Sequence, residues 1–146
     1  MKLVIVIASC FLLLACEYQE IPSNTSLEIS PLCEFRASDC LKKTTNNEVE
    51  VVLHLSQPDA PSEVPFRFDL TTSQLVENVT MRLEGRDMFM GVIPVKLTPI
   101  DDTSFSGELL YGSCSSGYMV WNAIVTFDYL GKSHQLVFAI LADNPI

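Results

Sequence analysis

Residues 118–130, YMVWNAIVTFDYL, place Met119, Trp121, Ala123, Val125, Phe127 and Tyr129 two positions apart without interruption. Side chains alternate across a strand, so this spacing gathers all six on one face of an extended chain; on a helix they would scatter around the axis. The stretch predicts one long strand. The turn LGKS follows, and HQLVFAIL returns as its hairpin partner.

The same period recurs upstream. Val49, Val51, Leu53 and Leu55 alternate in EVEVVLHL, Phe66, Phe68 and Leu70 share a face, and Val79, Met81 and Leu83 alternate in ENVTMRLEG. Ile93, Val95 and Leu97 follow, with Pro94 arguing for a sheet edge because proline cannot donate to a ladder. Phe105, Leu109 and Tyr111 form a further apolar side. Turn signals such as KKTTNNE, QPDAPSEVP and IDDTSFSG separate these runs, and no helical apolar stripe of useful length occurs. The pattern predicts an all-β chain: a single antiparallel, immunoglobulin-like β-sandwich of about seven or eight strands with Greek-key topology.

The amino terminus reads differently. MKLVIVIASCFLLLAC has one lysine, then an apolar run shorter than the roughly 20 residues a membrane-spanning helix needs. It fits the apolar region of a secretory signal. Its close, Leu13-Leu14-Ala15-Cys16, resembles the lipobox of bacterial lipoproteins. That resemblance implies cleavage before Cys16 and lipid attachment to it, with membrane binding through the acyl chains. The Glu17 that follows resembles the outer-membrane sorting pattern, which implies an anchor in the outer membrane facing the periplasm. The expected organisation is a signal peptide over 1–15, a polar tether over 16–30 and a sandwich domain over 31–146.

Without its signal the chain keeps eight Lys and Arg against eighteen Asp and Glu, a formal charge of −10. So acidic a surface argues against nucleic acid and against electrostatic adhesion to anionic lipid. Cys33, Cys40 and Cys114 remain beyond the lipidation site, and an oxidising compartment favours one disulfide among them. The short loop between Cys33 and Cys40 suits a bridge; Cys40 with Cys114 would instead tie the start of the domain to its later strands. The spacing leaves both open.

No nucleophile elbow, phosphate-binding loop, dinucleotide fingerprint or H-E-x-x-H motif is present, and the carboxylates are scattered, so the chain reads as non-enzymatic. The one concentration of chemistry is sulfur. Met88 and Met90 flank Phe89 in EGRDMFMG, and Cys114 and Met119 lie in GSCSSGYMVW, a glycine-flanked turn entering the longest strand. Thioethers and thiolates select Cu(I) over harder ions. If hairpin loops meet at one end of the sandwich, two or three of these sulfurs, Met88 and Met90 with either Cys114 or Met119, form a linear or trigonal Cu(I) site shielded by Trp121. The spacing places neither His54 nor His134 beside them. Methionine also fills irregular core gaps, and then the chain is an envelope docking module that binds a protein partner and no metal.

Residues 79–121, with Met88, Met90 and Gly91 followed by Gly112, Met119 and Trp121, resemble the middle of periplasmic immunoglobulin-like domains of the FixH and YtkA-like kind. The resemblance implies a sandwich and, for some members, copper handling or oxidase assembly. Two departures stand out: FixH-like proteins are usually held by a transmembrane helix, and the resemblance assigns no role to Cys114.

Overall fold

A computed structural model describes residues 29–144 apart from residues 38 and 116. The expected signal peptide, Cys16 and all but the last two residues of the tether lie outside the described residues. Among the described residues no helix is long and apolar enough to cross a membrane.

Among the described residues nine strands form two antiparallel sheets. Strands β1 (Cys40–Lys43), β2 (Glu50–Leu55), β3 (Phe66–Thr72), β7 (Ser104–Leu109) and β6 (Leu97–Pro99) lie side by side in that order. The second sheet runs β5 (Val92–Val95), β4 (Glu77–Gly85), β8 (Val120–Tyr129), β9 (Lys132–Leu141). With β2 taken as A, this is the A-B-E-D and G-F-C-C′ Greek key of immunoglobulin sandwiches, preceded by one extra strand. The expected all-β sandwich is therefore present, with nine strands rather than seven or eight. The additions have a clear origin. The short, charged β1 shows no period-two apolar signal, and the single run expected around Pro94 breaks at Lys96 into β5 and β6, which belong to different sheets. Pro94 is indeed on an edge strand.

The core is the set of alternating residues. Phe66, Phe68 and Leu70 face in while Arg67 and Asp69 face out, and Leu53, Leu83, Trp121, Phe127, Phe138 and Ile140 join them between the sheets. Central β8 is also buried at Val120 and Ile124, on its other face. There Arg82 stands beside Ile124 in register, its guanidinium held by Glu84 at 2.7 Å.

Both lateral seams are closed by chain that changes sheets. On one side β5 passes into β6. On the other, Leu32 pairs in parallel with Ala139 of β9, and after Cys33 the chain crosses to become β1 on β2. A Cys33–Cys40 disulfide spans that crossing. Ser30, expected to be tether, is already part of the domain: its hydroxyl donates to the Val137 carbonyl and accepts from Lys42.

The sandwich has two ends. Residues 56–65, 86–91, 110–119 and 142–144 gather at one, which we term the loop end; the connections 44–49, 73–76, 100–103 and 130–131 gather at the other.

Candidate functional site

The four sulfur residues singled out by spacing all lie at the loop end. Residues 86–91 leave β4 at Gly85, which is paired with Trp121 at the start of β8, so the two segments emerge side by side. Arg86 fastens them together. Its backbone N–H donates to the Val120 carbonyl at 2.9 Å, and its guanidinium makes a two-point contact with Asp87 at 2.9 Å. The bond to Asp87, with a lesser one to the Tyr118 hydroxyl, raises the Arg86 pKa above its ordinary value, and Asp87 is correspondingly lowered. A charged clamp thus holds the methionine loop to the segment carrying Met119.

Within this frame the Cys114 Sγ lies 3.8 Å from the Met88 Sδ. The turn that presents Cys114 is closed by the Gly117 N–H donating to its carbonyl at 3.0 Å, with Gly117 at φ 67°. Left-handed backbone there is tolerated because glycine has no Cβ. Ser113, one residue earlier, donates to Glu63 at 2.6 Å and ties the turn to residues 56–65. Met88 is exposed, at 46%, and Cys114 is partly buried.

Met119 and Met90 are placed differently. Met119 is buried, its backbone carbonyl accepting from the Ala142 N–H, and its methyl end rests against Gly85. A Cβ at Gly85 would stand 2.7 Å from that methyl carbon and 2.2 Å from the Met88 carbonyl oxygen. Both methionines therefore pack on the bare backbone of one glycine. Met90 is exposed beside the fully projecting Phe89 in sequence. A spacing of two would put Met88 and Met90 on one face of an extended strand. The chain from 86 to 91 is instead a loop ending at Gly91 with φ 81°, because the Arg86 clamp and Gly85 packing stop the β4 ladder first.

Beneath the sulfurs lies an aromatic floor. Tyr111 stacks on Trp121 with centroids 5.2 Å apart and meets Phe66 edge-on at 5.8 Å. The Tyr111 hydroxyl donates to the Ala60 carbonyl at 2.8 Å, and burial pushes its pKa well above the usual phenolic range. Trp121 is fully buried, and its indole N–H has no hydrogen-bond partner.

Other expected donors lie elsewhere. His134 stacks on Phe127 near the opposite end, and His54 points outward to Asp39 at 2.6 Å. Cys114 had been a candidate for the disulfide as well as for metal; it takes no part in the bridge, because Cys33 and Cys40 meet across the sheet crossing while the 110–119 connection carries Cys114 to the loop end. Among the described residues no group of three or more His, Cys, Asp and Glu is arranged to hold a metal. Gly85 and Tyr111 are the contributors that motif reading missed. A glycine ending a strand before a methionine pair was the available signal for the first.

Metal–sulfur bonds of about 2.3 Å make two sulfurs 3.8 Å apart subtend about 110° at a shared ion. Linear coordination would need them about 4.6 Å apart. The separation falls short of the linear arrangement; of the other two methionines at this end, Met90 shares the loop of Met88 and the Met119 methyl rests against Gly85.

No family model matches the chain, and no curated protein matches it. Among solved structures it is similar to a DUF4785 family protein from Legionella pneumophila subsp. pneumophila, at 15% sequence identity and a TM-score of 0.46. That likeness covers 64% of this chain and 30% of the other, so the chain spans under a third of its neighbour's length.

Proposed function

We propose that this is a lipid-anchored, non-catalytic protein of the bacterial envelope whose loop end binds Cu(I) through Cys114 and Met88, with Met90 or Met119 as third donor. The carrying observation is the 3.8 Å approach of the Cys114 and Met88 sulfurs across two separate hairpin loops. Soft sulfur donors favour Cu(I), and the exposure of Met88 leaves the ion reachable by a partner that delivers or removes it. The decisive experiment is a Cu(I) competition titration of the chain lacking residues 1–16. Met88→Leu and Cys114→Ser should each weaken binding at least tenfold, which is about 1.4 kcal/mol. Comparing Met90→Leu with Met119→Leu then identifies the third donor. A parent chain that fails to compete for Cu(I) overturns this reading.

A second reading rests on a different observation at the same end. Phe89 is 88% exposed, and Val64, Val92, Leu110 and Tyr118 are also exposed around it. An apolar collar of this kind marks protein interaction sites, and a docking module for an envelope partner would use it without metal. Phe89→Ala would then abolish partner crosslinking in the envelope, while Met88→Leu would leave it unchanged.

A further inference from the structure

The end of the sandwich opposite the sulfur residues has a chemistry of its own. Three of its connections each carry one projecting aliphatic side chain: Leu75 between β3 and β4, Ile100 between β6 and β7, and Leu130 between β8 and β9, exposed by 61%, 63% and 79%. Single exposed apolar residues are ordinary on any surface; one on each of three adjoining loops is a pattern. The loops are tied to one another. The Thr72 N–H donates to the Thr103 carbonyl at 2.8 Å, and Leu75 and Leu130 line a common groove of about 220 Å³.

Leu130 is the least expected of the three. It occupies the first position of a two-residue hairpin loop, with φ 50°, followed by Gly131 at φ 74°. Such turns take Asn, Asp or Gly at that position because they tolerate left-handed backbone. Leucine there gives neither conformational ease nor core packing, since its side chain projects into solvent.

The path of the chain says what lies at this end. Ser30 and Leu32 run parallel to β9, opposite Val137 and Ala139. The polypeptide therefore enters the domain from the side of Lys132, which is the Leu130 end. Twelve residues lie between Cys16 and Ile29, which makes thirteen Cα steps. Fully extended they span about 45 Å, whereas the strand distance from Val137 back to Lys132 is only about 17 Å.

We infer that Leu75, Ile100 and Leu130 form a membrane seat, which rests these loop tips in the interface of a zwitterionic lipid bilayer beside the acyl chains on Cys16 and points the sulfur end away from the membrane. The inference rests on lipidation at Cys16 and is independent of copper. A tethered domain meets its bilayer at high effective concentration, so three shallow apolar contacts suffice where they would not hold an untethered protein. The lipid class follows from charge. Glu77, Asp128, Asp101 and Asp102 surround the tips with Lys132 as the nearest cation in sequence, and the Thr103 backbone N–H keeps Asp101 ionised below its usual range. Anionic headgroups are repelled by such a rim.

The test uses the full lipidated chain reconstituted into phosphatidylcholine vesicles with brominated acyl chains. Trp121, the chain's only tryptophan, is fully buried and supplies a constant background. Leu130→Trp should show blue-shifted emission and several-fold stronger quenching than Phe89→Trp at the other end. Adding Leu75→Ser and Ile100→Ser to Leu130→Trp should abolish that quenching while the protein still floats with the vesicles. Replacing half the lipid with phosphatidylglycerol should weaken it. Equal quenching at both ends, quenching at neither, or quenching only of Phe89→Trp overturns the seat. A chain that does not float with vesicles removes the anchor, and the seat with it.

Discussion

Tyr111 and Gly85 show how single residues set the loop end. The Tyr111 hydroxyl donates to a carbonyl that also accepts from the Asp143 N–H at 3.0 Å. Removing the hydroxyl therefore does not orphan the Ala60 oxygen, and Tyr111→Phe should cost only the net value of one hydrogen bond, about 0.5–1.5 kcal/mol by urea unfolding. The same residue gives an alkaline signature. Its proton is held more tightly in the folded chain than in the unfolded one, where the phenol titrates near 10. Stability from this group is complete below pH 10 and declines as pH rises further, because only the unfolded state then loses the proton. Tyr111→Phe should flatten that decline. Gly85→Ala is the harsher change. Its Cβ would collide with the Met88 backbone oxygen, which cannot rotate away as a side chain end can. Overpacking of this kind costs about 1–3 kcal/mol. The variant should also separate Met88 from Cys114, so its Cu(I) affinity should fall even though no sulfur has been changed.

At the scale of elements, the seams matter more than the sheet centres. The Cys33–Cys40 bridge closes a loop of sequence separation 7 where the chain crosses between sheets. Chain-entropy reasoning for so short a loop gives about 2.5 kcal/mol. Cys33→Ala/Cys40→Ala should lower stability by about that amount in urea, with hydrogen exchange first accelerated in β1 and in the pairing of Leu32 with Ala139. These seams are also where sequence reading fell short. The strands β2, β3 and β4 were legible because each turns one apolar face to the core and alternates in response, whereas β8, buried on both faces, and β9 were legible from their long apolar runs and the turn between them. The β1 strand, CLKK, was not, since Leu41 is exposed and Lys42 partly buried, so hydropathy does not follow burial. The break at Lys96 was invisible because Val95 and Leu97 keep the period-two pattern while passing to different sheets. Among site residues, Cys114 and Met88 were legible as soft donors, and their meeting followed from hairpin loops sharing an end. The loop form of residues 86–91 was not, because Arg86 and Gly85 impose it through tertiary contacts that spacing does not encode.

For the whole molecule, the proposed copper site and the fold are linked by mass action. A ligand that binds the folded chain and not the unfolded one stabilises it by about 2.7 kcal/mol at a hundredfold excess over its Kd. The Cys114 and Met88 sulfurs come from connections far apart in sequence, separated by 26 residues, and meet only when β4 and β8 are paired. Unfolding therefore dismantles the site, and Cu(I) should raise the melting temperature. For a domain of this size, roughly 4 °C accompanies each kcal/mol, so the expected rise is about 10 °C under reducing, anaerobic conditions. In Met88→Leu/Cys114→Ser the rise should shrink to the small effect of scattered surface sites, although the apo variant melts close to the parent, because leucine conserves the volume of methionine. Ag(I), a soft ion of the same charge, should reproduce the shift in air, and Zn(II) should give a smaller one, since the thioethers on which a third donor depends are poor partners for it. An equal rise with all three ions would place the stabilisation outside the sulfur pair and count against copper as the ligand for which this end of the sandwich is built.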